Sequence, residues 1–380
     1  MSNKNVAVLG SQFGDEAKAK IAHSMAKDFR YVVRFSGSSN AGHTIYHEGQ
    51  KVVRRLLPAA DFSFKDHYAF LGAGMVINPD ELIKEIYENK KIFPELAKQV
   101  IVDPNAFVIT QKHLEEDLEN VKKIGSTGKG VSPAYRDKIY RCGTRIMDLI
   151  KENNHAISVL KNMGVQFKTS FEMYDELVKS RILFEGAQSI LLDYNYGTYP
   201  YVTSGECGLN GIMNAGFAFA MPSKVIGIIK AYMTRVGHGP FPTEIIGEEA
   251  DKLRSLGKEY GAVTGRPRRI GWLDLPALDY VIKVSGVNNL IVTKLDVLNN
   301  YGDIKICHKY DKPIASASDL FDIKPEYITY KSWSDAKDIS QVHDFVNIIS
   351  KIVKVPITHI SYGVNKEDIL CVNSQTEFKW

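Results

Sequence analysis

Cysteine is scarce in this chain and long apolar runs are missing. Among 380 residues there are four cysteines, Cys142, Cys207, Cys307 and Cys371, with no CxxC pair. That spacing excludes a disulfide framework and a cysteine-based structural zinc site, and it predicts a reducing, cytoplasmic setting. The apolar stretches at 212–221 and 225–229 stop well short of the roughly 18 residues that a membrane helix requires. The N-terminal MSNKNVAVLG is too short for a secretory apolar region, so no membrane partner is expected. An excess of one charge is also lacking, since 48 Lys+Arg against 44 Asp+Glu leave only +4. So small a surplus predicts no nucleic-acid partner. A Walker A loop, GxxxxGK followed by Ser or Thr, is absent as well.

What remains is the composition of an ordinary soluble globular chain, 44% hydrophobic and 24% charged. Short apolar runs recur as NVAVLG, YVVRFSG, AFLGAGMVI, QVIVD, RILFEGA, KVIGIIKAY, NLIVTKLDVL and PITHIS, each followed by a loop or a helical stretch. Continuous runs of this kind belong to strands buried on both faces, and the pattern predicts an α/β fold with a central, mostly parallel sheet and helices on both faces. Ligands are expected at the carboxyl ends of the strands. No linker or repeat marks a boundary, so residues 1–380 are read as one domain, with about 150–180 a peripheral helical excursion.

Six loops carry residues suited to chemistry. GSQFGDEAKAK at 10–20 sits between a strand and a helix, where main-chain N–H groups and a first-turn lysine make an anion site. SGSSNAGHT at 36–44 ends in His43, an imidazole able to change charge near neutral pH. IGSTGKGVSPAYRDKIYRCGTR at 124–145 is rich in glycine, hydroxyls and basic residues. FEGAQSILLDYNYGTYPYVTS at 184–204 sets Gln188 and Thr203 among aromatics that could hold a planar base. GAVTGRPRRIGWLD at 261–274 has three arginines within four positions, suited to bidentate pairing with carboxylate or phosphate. VTKLDVL at 292–298 places a carboxylate where guanine N1–H and its 2-amino group could both donate.

In this order the segments resemble the adenylosuccinate synthetase family, from Val6 to about Gly363: GDExKxK, NAGHT, STGKGxxPAYxDK, FEGAQ, GTYPYVTS, KAYxTRVGxGPFPTE, TGRxRRxGWLD and TKLDVL are colinear. The resemblance implies a fold related to P-loop NTPases. It also implies a Mg²⁺-dependent ligase that joins L-aspartate to C6 of a 6-oxopurine 5′-monophosphate through a 6-phosphoryl intermediate, at the expense of GTP. By the same resemblance Asp15 is the base at purine N1 and a magnesium ligand, His43 is the acid, Gly42 offers its carbonyl to the metal, and Gln188 faces O6. Gly14, Lys18 and Thr44 would serve the phosphate donor. Asn40, Thr127 and Thr203 would hold the 5′-phosphate, with Arg141 reaching it from the second subunit of a homodimer, and Val236 would lie beside the ribose. Lys129, Thr264 and Arg266 would bind aspartate, with Arg268 near the nucleotide. Lys294, Asp296, Ser361 and Gly363 would form the guanine pocket. A non-catalytic nucleotide-binding regulator would have no use for a base at N1 or for the arginine loop.

Departures from the family pattern cluster in the loops. Ala17 and Ala19 stand where the family writes glycine, Ser36, Ser38 and Ser39 precede Asn40, and SGECGLNG follows the YVT of the fourth loop. The arginine loop reads Val263-Thr264-Gly265-Arg266-Pro267-Arg268-Arg269, and the chain is short for the bacterial family. These changes leave Asp15 and His43 in place and predict retained chemistry with an altered substrate. The leaning is toward dGMP, as in the phage enzymes that make N6-succino-2-amino-2′-deoxyadenylate for 2-aminoadenine DNA, with ATP or dATP as alternative donors. IMP with GTP is the other reading.

Overall fold

The computed structural model describes residues 4–124, 127–261 and 265–372. They fall into two compact units. The first comprises the residues up to Val8, Lys18–Ala187 and Thr203–Ser223, and the second Leu9–Ala17, Gln188–Val202 and the chain from Lys224 on. The first strand, β1 (Val6–Gly10), contributes three residues to the first unit and two to the second.

In the first unit, α1 (Lys18–Met25) leads into β2 (Tyr31–Arg34), and a hairpin follows, made of β3 (His43–His47) and β4 (Gln50–Arg54). The parallel strands β5 (Tyr68–Leu71) and β6 (Val100–Val102) come next. Beyond them lie α2 (Val131–Tyr140), α3 (His155–Met163), the short β7 (Gln166–Phe167) and β8 (Ile182–Ser189), whose last two residues are counted in the second unit. These strands line up as β8-β2-β5-β6-β7, every pair parallel. Their apolar runs are buried on both faces, as strands covered by helices on either side require. The stretch expected as a helical excursion also supplies β7, whose Gln166 and Phe167 pair with Ile101 and Val102.

The second unit has the strands β9 (Lys224–Lys230), β10 (Asn289–Thr293), β11 (Ile357–Ser361) and β12 (Ile369–Cys371), adjacent in that order and parallel except for the last pair. Between β9 and β10 lies α4 (Leu275–Ser285), capped by the Asp274 side chain on the Ala277 N–H and ended by Gly286 at φ +70°. The helix α5 (Ile339–Val353) buries Val342, Phe345, Val346, Ile349 and Val353, a helical stripe of apolar residues. Each such side chain contributes about 1.5–3 kcal/mol by leaving water. No helix among the described residues is long and apolar enough to cross a membrane.

Candidate active site

In the first unit the chemistry centres on His43, the first residue of β3. The parallel register sets Glu185 of β8 beside Arg34 of β2, and both side chains are fully buried. His43 Nδ1 makes a short contact with Glu185 Oε1 and lies 3.0 Å from Arg34 Nη1. A guanidinium can only donate and a carboxylate only accept, so the Nδ1 hydrogen goes to Glu185 and Arg34 stands alongside as a charge. Glu185 Oε2 accepts from the Ala59 N–H at 2.6 Å, and His43 Nε2 lies 3.4 Å from the Ala187 carbonyl. Burial first, and then the Arg34 charge, push the His43 pKa below the ordinary range, against the pull of Glu185. Burial alone would raise Glu185, yet His43 and Arg34 hold it below the usual carboxylate range. The result is an oriented imidazole whose charge answers to what binds next to it.

In the second unit the loop after β1 turns sharply, with Gly14 at φ +90° and the non-glycine residues Asp15 and Ala17 at +59° and +66°. Its brace is Glu16, fully buried, whose Oε1 accepts from the N–H groups of Gln12 (3.1 Å) and Gly14 (2.8 Å). The Gln12 side chain holds the carbonyls of Lys230 and Tyr232 in turn. This brace lifts Asp15 outward to 35% exposure, where its Oδ2 meets Arg268 Nε at 2.7 Å. Arg268 Nη1 is also 2.5 Å from Glu259 Oε2. Glu259 is buried among Tyr232, Lys230 and Lys294, with Tyr232 donating at 2.6 Å and Lys230 Nζ at 3.2 Å. Burial works against its charge, but Lys230, Lys294 and Arg268 bring its pKa down to about 2.

The remaining expected residues are distributed between the units. The first holds Lys18, buried at the start of α1, and Asn40, Gly42 and Thr44, half-buried around His43 in the chain. Lys129 Nζ pairs with Glu81 at 2.7 Å, Thr127 is exposed, and Thr203 is half-buried. Arg141 caps α2 in the left-handed region at φ +64° and is exposed, next to Ile139 and Tyr140, which are 78% and 79% exposed. In the second unit Gln188 is half-buried, Val236 and Arg266 are exposed, Ser361 is buried, and Gly363 has φ +60°. Lys294, at φ +62°, donates from Nζ to the Gly257 carbonyl at 2.8 Å. Asp296 Oδ1 is buried without a hydrogen-bond partner. Thr264 lies outside the described residues.

Arg34, Glu185, Glu16, Lys230 and Glu259 escape the motif reading. For Arg34, Glu185 and Lys230 the signal was nonetheless present, because a charged residue inside an apolar run, as in YVVRF, RILFEGA and KVIGIIKAY, must be paired when the strand is buried; Glu16 and Glu259 lie in polar loops and carry no such signal.

An oriented His–Glu pair, a carboxylate held by an arginine and a carboxylate oxygen awaiting a donor suit a nucleotide-using ligase. The family model for adenylosuccinate synthetase matches residues 7–178 and 158–370. The adenylosuccinate synthetase of Petrotoga mobilis is 40% identical, the alignment covering 97% of this chain and 98% of that one. The Thermotoga maritima enzyme is 39% identical, at 96% and 99%. Among solved structures, the fully ligated adenylosuccinate synthetase of Plasmodium falciparum superposes with a TM-score of 0.86 at 28% identity, covering 97% of this chain and 99% of that one. The cyanophage S-2L succinoaminodeoxyadenylate synthetase, bound to dGMP and dATP, shares the fold with a TM-score of 0.74 at 23% identity, over 98% and 96%. The protein is thus a carbon–nitrogen ligase. It belongs to the adenylosuccinate synthetase family, whose members use Mg²⁺ and GTP.

Proposed function

We propose that this chain joins L-aspartate to C6 of IMP, with GTP as the phosphate donor. The choice of IMP over dGMP is carried by one observation: the adenylosuccinate synthetases of Petrotoga mobilis and Thermotoga maritima are 40% and 39% identical to this chain over almost its whole length, whereas the dGMP-bound cyanophage enzyme is 23% identical.

In this reading the Asp15 carboxylate takes the proton from purine N1 so that O6 can attack the γ-phosphate, and Arg268 keeps the carboxylate aimed. His43, held through Nδ1 by Glu185, presents Nε2 to the phosphate, whose negative charge opposes the effect of burial on the imidazole. The aspartate amine then displaces phosphate from C6. Arg266 and Lys129, with Thr264, bind the aspartate carboxylates, Asn40, Thr127 and Thr203 bind the 5′-phosphate, Gln188 faces O6, and Val236 packs on the ribose. The unpartnered Asp296 Oδ1 fits a guanine, whose N1–H and 2-amino group are the donors it lacks, with Lys294, Ser361 and Gly363 around the base. Gly14, Lys18 and Thr44 serve the donor phosphates.

Magnesium fits the donors present. Asp15 uses one oxygen on Arg268 while its side chain stays 35% exposed, and a hard carboxylate oxygen with the Gly42 carbonyl suits this ion. When bound, the ion neutralises phosphate charge. The exposed Ile139 and Tyr140 beside Arg141 form an apolar surface suited to a second copy of the chain, which would carry Arg141 to its neighbour's substrate.

The deciding experiment supplies purified protein with Mg²⁺, aspartate, either IMP or dGMP, and GTP, ATP or dATP, and follows aspartate-dependent phosphate release. Turnover with IMP and GTP is expected. A kcat/KM for dGMP equal to or above that for IMP would overturn the choice of substrate.

A further inference from the structure

A second cluster of ligating side chains lies in the first unit, on residues given no part in the reaction. His23 of α1, His47 at the end of β3 and Asp61 each bring a ligand atom within 4.8 Å of the others. His23 and Asp61 are each only 2% exposed. Two imidazoles and a carboxylate thus converge in an enclosed place, and a buried carboxylate needs partners of this kind.

The surroundings set the chemistry of each ligand. His23 Nδ1 lies 3.1 Å from the Ala59 carbonyl, and a carbonyl only accepts, so Nδ1 carries the hydrogen and Nε2 presents its lone pair. An imidazole whose far nitrogen donates to a carbonyl is the usual arrangement of a metal-bound histidine. His47 Nδ1 is buried without a hydrogen-bond partner, while its Nε2 lies 3.4 Å from Ser63 Oγ. Asp61 Oδ1 accepts from the Ser63 N–H at 3.1 Å, which fixes the carboxylate. The Arg54 guanidinium, a fixed cation of the same region, donates to the carbonyls of Pro58 and Ala60 at 2.9 and 2.5 Å. It stacks over Phe62, with 4.6 Å to the ring centroid.

We propose that His23 Nε2, His47 Nδ1 and an Asp61 oxygen form a structural site for a borderline divalent transition metal of the zinc class. Two nitrogens and one oxygen favour such an ion over magnesium, which prefers oxygen throughout. The ion ties α1, β3 and the 55–63 segment together. That segment also reaches His43, because Ala59 accepts from His23 and donates its N–H to Glu185. The site therefore acts on His43 as a positioning device, with no contact to substrate.

The test uses the full chain, stripped with a chelator and reloaded with Zn(II) or Co(II). Elemental analysis should find about one metal per chain, Co(II) should show ligand-field bands, and melting should rise by several degrees on reloading. X-ray absorption on the Zn(II) form should report two imidazoles, oxygen and no sulfur. His47→Ala and Asp61→Asn should each lower the affinity roughly 10-fold or more, whereas His343→Ala, an exposed histidine elsewhere, should not. Failure of the stripped wild type to bind either ion, sulfur in the metal shell, or unchanged affinity in folded His47→Ala would overturn the site. Because the absorption measurement needs no variant, a misfolding substitution leaves the test intact.

Discussion

Arg268 Nε lies 2.7 Å from Asp15 Oδ2, and the same guanidinium reaches Glu259. One planar fork thus spans the exposed carboxylate and the buried one, a geometry a lysine cannot reproduce. Arg268→Lys should lower kcat/KM by about 10- to 100-fold and Arg268→Ala by more, with folding stability changed far less. Asp15→Asn should cost about 10²–10⁴ in kcat if the carboxylate is the base. Steady-state kinetics on the three variants checks both statements. An Asp15→Asn enzyme with wild-type kcat would remove Asp15 from the base role.

Glu185→Gln keeps the shape of the side chain but takes away the charge that orients His43. The amide can still accept from Nδ1–H, yet Arg34 is then left in the interior without its carboxylate. We expect kcat to fall by about 10²–10⁴, and stability to fall by about 3–5 kcal/mol as for a broken buried pair. Urea unfolding and single-turnover kinetics separate the two losses.

Glu259 and Lys230 make a coupled test. Burial, set against Glu259, brings the Lys230 amine down to about 8, so the pair holds its charges only together. Glu259→Gln alone should destabilise by about 3–5 kcal/mol, and Glu259→Gln with Lys230→Met should recover much of that, because an uncompensated charge costs more than a lost pair. Strictly additive losses in denaturant unfolding would show that the pair is not coupled.

Asp274 predicts a pH dependence of stability. Burial pushes its carboxyl up to about 6, although Tyr310 donates to it at 2.6 Å and it caps Ala277. Its folded value lies above the unfolded one of about 3.9. Between those values the folded chain binds more protons, so the contribution is present at low pH and lost as pH rises through 6. The loss is on the order of 2–3 kcal/mol. Asp274→Asn, which retains the cap, should flatten that part of the stability curve between pH 4 and pH 6. An unchanged curve would reject the assignment.

Much of this molecule was legible in order of residues. Parallel strands carry continuous apolar runs because they are covered on both faces, and every run singled out contributes a strand, from VAVLG to ITHIS. The loops bearing Asp15, His43, Arg268 and Asp296 follow strands or helices as short motifs, and motifs survive in a linear reading because neighbours in chain build one turn. The sheet register was not legible. Arg34 and Glu185 stand 151 positions apart in sequence (185 − 34) and meet only because β2 and β8 are adjacent in parallel. Nor was it legible that Lys230 meets Glu259 across 29 positions, or that His23 of a helix, His47 of a hairpin strand and Asp61 of a loop converge.

Substrate choice shows the division most clearly. In sequence the serines at 36, 38 and 39 are departures from a family pattern that predict an altered substrate. The structure adds that all three are buried. Composition and local pattern determine which chemistry a chain can carry, since propensity and motif act over a few residues. Which side chains face a ligand, which are enclosed and which charges find partners was decided only by the tertiary structure, because burial and pairing are made between segments distant along the chain.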